Sequence, residues 1–183
     1  RSPSRGLGDV YKRQLSKFES MLKTNSIYFF DLVEFEEIIV HYLDTGKHSL
    51  AKKAVKLGLE QHPTSIDLKL LDVEILIFDN KLEKASQKLR RIQLLAPANE
   101  EVYIQKATIL SKNGNHEKAI INLKIAVSHA DDKVDIWSMM GMEYLYLDDF
   151  EKARLSFAKC IDVDHEDYSS LYNVVYCFDM QKN

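Results

Sequence analysis

Two cysteines, three prolines, six glycines and one tryptophan are few for 183 residues. A disulfide framework needs more cysteine than this. Cys160 and Cys177 also lack the paired spacing of a zinc site. They read as packed thiols, which mildly favours an intracellular setting. The scarce glycines form neither a phosphate-cradling loop nor a GxSxG elbow. No apolar run approaches the 18 or so residues that a membrane-spanning helix requires. Basic surplus is absent too, since the formal net charge is −3. Nucleic-acid binding rests on Lys and Arg neutralising phosphates, and this chain is not built for it. No cofactor motif is present, and no enzyme is expected.

What is present is a register. Ala51, Ala85, Ala119 and Ala153 stand 34 residues apart with no insertion or deletion. Four residues after each come Val55, Leu89, Leu123 and Phe157, and nine before each come Tyr42, Leu76, Leu110 and Tyr144. Five before each stand Gly46, Asn80, Gly114 and Asp148, residues that tolerate the left-handed conformation ending a helix. Pro63 and Pro97 follow the first two alanines at twelve residues; Asp131 and His165 take those places in the later copies. The fourth copy reads Trp137-x2-Met140-Gly141-x2-Tyr144, then Ala153-x3-Phe157.

Equal spacing over four copies marks a stacked array, and this pattern resembles the tetratricopeptide repeat. The resemblance covers residues 32 to about 179. It implies an all-α fold, an α-solenoid of antiparallel helix pairs in a right-handed superhelix. The repeats fall at 32–65, 66–99, 100–133 and 134–167, with a truncated fifth at 168–183. The second copy diverges most, with Lys69 where the others carry Phe35, Tyr103 and Trp137. In the third, Asn99 is expected to cap a helix over 100–112, with a second helix over 116–129. Small residues in the alanine column let paired helices cross closely.

The first fourteen residues stand apart. Asp9-Val10-Tyr11-Lys12-Arg13-Gln14, with the stretch before it, resembles the read-through of a sequencing adaptor and is expected to be disordered. It carries four basic and one acidic side chain, so Leu15 onward has a net charge of −6. Residues 15–31 are expected to hold a short helix or the end of a preceding unit, through Leu15, Phe18, Met21 and Leu22. Both ends look cut, and the chain reads as a fragment of a longer bacterial tetratricopeptide protein with a cytoplasmic setting.

Function is expected on the first helix of each pair. Numbered from Leu32, Ile66, Glu100, Val134 and Tyr168, positions 4, 7, 8 and 11 form its packing face. Positions 2, 5, 6, 9, 12 and 13 point the other way, onto the face that lines the concave groove in this family. That face carries Glu36, Glu37, Asp44, Asp67, Glu74, Glu101, Asp135 and Asp179 against one base, Lys112. Val40, Leu43, Leu70, Leu71, Ile77, Phe78, Ile104, Met139, Met142, Leu145, Tyr146, Tyr172, Tyr176 and Met180 lie among them. Apolar side chains rimmed by charge mark a binding surface. The expected partner is a protein or peptide segment with basic and apolar residues. Against this stands a plainer account, in which the carboxylates are solvated and the apolar groups pack on the next repeat. A different reading of the whole makes the array a tether for a missing catalytic or membrane-associated domain.

Two narrower functions are disfavoured. Chaperone-binding members clamp a terminal carboxylate with Lys and Asn at positions 5 and 9, where this chain has Glu36 and Val40. His48 and His116 share a packing column with Leu82 and Phe150 and read as structural filler, so no catalytic or metal role is assigned.

Overall fold

The computed structural model describes residues 4–24 and 27–182; for residues 4–11 it gives the backbone course alone. Ten α-helices follow one another, with no strand among the described residues. They are α1 (Ser4–Thr24), α2 (Leu32–Asp44), α3 (His48–Gln61), α4 (Ile66–Phe78), α5 (Leu82–Leu95), α6 (Glu100–Lys112), α7 (His116–His129), α8 (Val134–Tyr146), α9 (Phe150–Val163) and α10 (Tyr168–Met180). The even-numbered helices α2 to α10 begin 34 residues apart, and so do the odd-numbered α3 to α9. The molecule is an all-α solenoid of helix pairs. It divides into two compact units, one up to Ile75 and one from Leu76 onward.

Each pair turns by the same device. Gly46, Asn80, Gly114 and Asp148 all have positive φ, between 55° and 72°. The left-handed residue folds the chain back so that an amide beyond the helix reaches the carbonyl five residues earlier. That bond recurs as Lys47 to Tyr42, Lys81 to Leu76, Asn115 to Leu110 and Asp149 to Tyr144, at 2.7–3.0 Å. Asn80 and Asp148 adopt a conformation that costs a branched or bulky residue dearly, which is why short polar residues replace glycine there.

The alanine column lies where the register puts it. Ala51, Ala85, Ala119 and Ala153 are each 0% exposed. Replacing Ala119 with Leu inserts three carbons at a closed crossing and is expected to cost about 1–3 kcal/mol. Urea unfolding of that variant with an unchanged midpoint would contradict this role.

Unit 1 has a core of aromatic rings. Phe18 from α1 meets Phe30 at 5.9 Å and Phe35 at 6.5 Å between centroids, and Phe30 meets Phe35 at 5.4 Å. The segment from Tyr28 to Asp31 runs without helix between α1 and α2. Its polar groups are held from α1 and the end of α3: Gln61 accepts from the Phe30 amide and donates to the Tyr28 carbonyl, and Lys17 donates to the Phe29 carbonyl. Asp31 and Glu34 then form a capping box that starts α2.

One expectation fails here. Disorder over residues 1–14 does not hold for residues 4–14, which run helical into α1; Arg1–Pro3 lie outside the described residues. Val10 to Gln14 contain no helix breaker, and extending a turn already fixed by buried Phe18 and Met21 costs far less than starting one.

Candidate partner-binding surface

The first helices α2, α4, α6, α8 and α10 hold the residues expected to meet a partner. Their side chains divide by angle around the helix. At about 100° per residue, positions 2, 9 and 13 cluster within about 40° of one another, opposite the packing face. They hold most of the exposed ones: Val40, Glu74, Met142 and Tyr176 at position 9, Asp44, Phe78, Tyr146 and Met180 at position 13, Asp67 and Asp135 at position 2. Positions 5, 6 and 12 lie at the flanks of that stripe and touch neighbours more. Leu70 is therefore no surface anchor, being only 4% exposed, and Ile77 is buried with it. Glu36 and Ile104 at position 5 are half-buried, and so is Glu101 at position 2, while Glu37 at position 6 stays exposed.

In unit 1 the surface is acidic. The Glu36 carboxyl is raised above the ordinary glutamate range, chiefly by desolvation and then by the negative charge of Asp67. Its Oε1 is buried and has no hydrogen-bond partner. Glu74 is raised in the same way, first by desolvation and then by Asp44. Two pairs of carboxylates thus face each other with no lysine or arginine bridging them among the described residues. A cation placed between either pair would gain from both.

In unit 2 the surface is aromatic. Phe78 is 61% exposed, Tyr146 62% and Tyr172 72%, with Met142 and Tyr176 also exposed beside exposed Asp135. Two of these rings are held from behind. Tyr146 stacks on His116 of α7 with centroids 4.7 Å apart and planes at 17°. His116 in turn reaches the Glu143 carboxylate of α8 at 2.8 Å through Nδ1. Tyr176 sets its edge against Phe150 of α9 at 6.4 Å. His116 thus does more than fill space. The sequence held a signal for this: Glu143 is a carboxylate at position 10, where Ile75, Ile109 and Cys177 are buried in other copies, and a buried carboxylate needs a partner. No group of three metal-binding side chains gathers among the described residues, and no described helix is long and apolar enough to cross a membrane.

Comparisons place this geometry among known proteins. The family model of the tetratricopeptide repeat matches residues 100–128 and 134–167. No curated protein matches the sequence. Among solved structures, a thermophilic tetratricopeptide protein of Thermus thermophilus is similar at 18% identity and TM-score 0.74, covering 95% of this chain and 93% of that one. PilF of Pseudomonas aeruginosa is similar at 17% identity and TM-score 0.71, over 81% of this chain and 68% of that one. YrrB, described as a tetratricopeptide protein with an unusual peptide-binding site, is similar at 18% identity and TM-score 0.61, over 91% of this chain and 84% of that one. These likenesses show the fold. Residues 100–128 and 134–167 thus match the tetratricopeptide repeat model, inside a register of helix pairs that begin every 34 residues.

Proposed function

We propose that the chain is a non-enzymatic interaction scaffold whose first-helix surface receives a protein segment, extended or helical, carrying Lys or Arg among large apolar residues. The observation that carries this reading is the exposed stripe at positions 2, 9 and 13. On the helices of unit 1 that stripe carries Asp44, Asp67 and Glu74, and on those of unit 2 it carries Phe78, Met142, Tyr146 and Tyr176. YrrB gives the reading a precedent within the fold, in its described peptide-binding site. Aromatic and aliphatic anchors supply most of the affinity in such interfaces, while charge steers and orients the ligand.

The test reverses charge where the fold does not depend on it. Asp67 and Glu74 are exposed on one face of α4, two turns apart. A labelled peptide alternating Lys or Arg with Leu, Phe and Tyr is expected to bind the native chain and to discriminate against its Glu-substituted counterpart. Asp67→Lys with Glu74→Lys is expected to weaken the basic peptide about tenfold at low salt, an effect that shrinks as screening rises. Equal affinity of both peptides, or of the native and reversed chains, would overturn the reading.

A further inference from the structure

Between α5, α6 and α7, all within unit 2, lies a crevice of about 250 Å³ lined by Ser86, Lys106, Ile109, Leu110 and Asn122. The repeat register explains why it is there. At the next junction the same repeat positions hold Ile120 for Ser86, Met140 for Lys106 and Tyr144 for Leu110, and those three are 5%, 8% and 7% exposed. Larger side chains occupy the Ser86 and Leu110 positions in that copy. In this one, a hydroxyl and a shorter leucine leave it open, and an ammonium replaces a thioether in its wall.

That ammonium lacks a counter-charge. Lys106 donates to the neutral Gln93 Oε1 and lies 5.7 Å from the Tyr103 ring centroid, and no carboxylate pairs with it among the described residues. One acceptor leaves two of its three N–H groups for another ligand. Arg90, close enough to act on it, adds a second positive charge rather than relieving the first. Desolvation, and then Arg90, hold the Lys106 pKa below the ordinary lysine range, as expected of a cation short of a partner. Beneath it, Ile109 is 7% exposed and Leu110 half-buried, an apolar floor.

We propose that this crevice binds a carboxylate carried on a short apolar stem, with Lys106 meeting the carboxylate, the Ser86 hydroxyl supplying a second donor, and Ile109 and Leu110 receiving the stem. A dianionic phosphate fits less well, because the lining offers it one ammonium and one hydroxyl while leaving the apolar floor uncovered. The carboxylate can belong to a free acid or to a glutamate side chain of a partner, and the chemistry of capture is the same.

Methyl-detected NMR titration of the full chain tests the site at the Ile109 and Leu110 resonances. The probes are pentanoate, glutamate blocked at both backbone ends, pentylammonium and inorganic phosphate. Saturable shifts with pentanoate or with the blocked glutamate are expected, and which of the two binds more tightly identifies the source. Lys106→Met, the residue of the next copy, is expected to fold and to weaken binding about tenfold or more, the usual effect of losing a charge-assisted hydrogen bond. Ser86→Ile, which puts the larger side chain of the next copy into the crevice, is expected to abolish the shifts. No saturation by either carboxylate, equal shifts from pentylammonium or phosphate, or undiminished binding to Lys106→Met would each overturn the proposal.

Discussion

Phe157→Ala is expected to destabilise the chain by about 3–5 kcal/mol and, at the same time, to abolish the cost of enlarging Gly141. Phe157 of α9 is 0% exposed. A Cβ built on Gly141 of α8 would sit 2.6–2.8 Å from its Cζ, Cε1 and Cε2 atoms, well inside contact distance. Gly141 is therefore glycine to give the ring room, in a helix whose backbone any residue could adopt. Two effects oppose each other in Gly141→Ala. Helix propensity gains about 1 kcal/mol from replacing glycine, whereas overpacking against a fully enclosed ring costs about 1–3 kcal/mol. The clash wins as long as Phe157 cannot move, and an enclosed ring has nowhere to go. In the Phe157→Ala background the clash is gone, so the same substitution should be neutral or stabilising by up to about 1 kcal/mol. A double-mutant cycle in urea measures the coupling directly. Gly141→Ala that stabilises the native chain would show that the ring yields, and would remove the reason for glycine at this position.

That pair shows what a sequence can and cannot declare. The alanine register, the left-handed residues five before it and the helix starts all follow from local rules repeated four times, so spacing alone revealed them. Asn99 caps α6 through the Glu101 amide, as its side chain and position suggested. Gly141 was visible as a family-like residue, but its reason lies in a ring sixteen positions away on another helix. The candidate surface was legible more coarsely. A helical wheel distinguishes inside from outside, and it selected Asp67, Glu74, Phe78, Met142, Tyr146, Tyr172 and Tyr176, all of which are exposed. It could not resolve the flanks of the stripe, where neighbouring helices decide, and so it included Leu70. Nor could it foresee that His116 and Glu143 would support Tyr146, because that contact joins two different repeats. The N-terminal stretch misled for another reason: its resemblance to an adaptor read-through suggested disorder, yet helix propagation from Phe18 and Met21 does not depend on where a sequence came from.

Unit 1 offers the other large effect. Phe35→Ala is expected to cost about 3–5 kcal/mol, because its ring is the meeting point of three segments. It is 0% exposed, with Phe18 of α1 and Phe30 of the connecting segment on one side. On another, the His62 ring lies 5.9 Å away, and Gly58 of α3 approaches so closely that a Cβ there would lie 3.2 Å from the Phe35 ring. Removing the ring leaves a cavity among rigid aromatic neighbours that collapse poorly, which places the cost high in the usual range. The loss should also be local. Repeat arrays are stabilised by nearest-neighbour contacts, so the segment that depends most on Phe35 opens first. Phe18 is the main buried attachment of α1 to this cluster, and the hydrogen bonds of Gln61 and Lys17 to the Tyr28–Phe30 backbone need that segment in place. Amide exchange in Phe35→Ala is therefore expected to accelerate across residues 12–24 and 28–31 by a far larger factor than in α7 and α8. Phe35→Leu, which keeps most of the volume, should retain more than half of the lost stability. Uniform acceleration through both units would show that the chain unfolds as one cooperative body and that the aromatic cluster does not act as a separate clasp for α1.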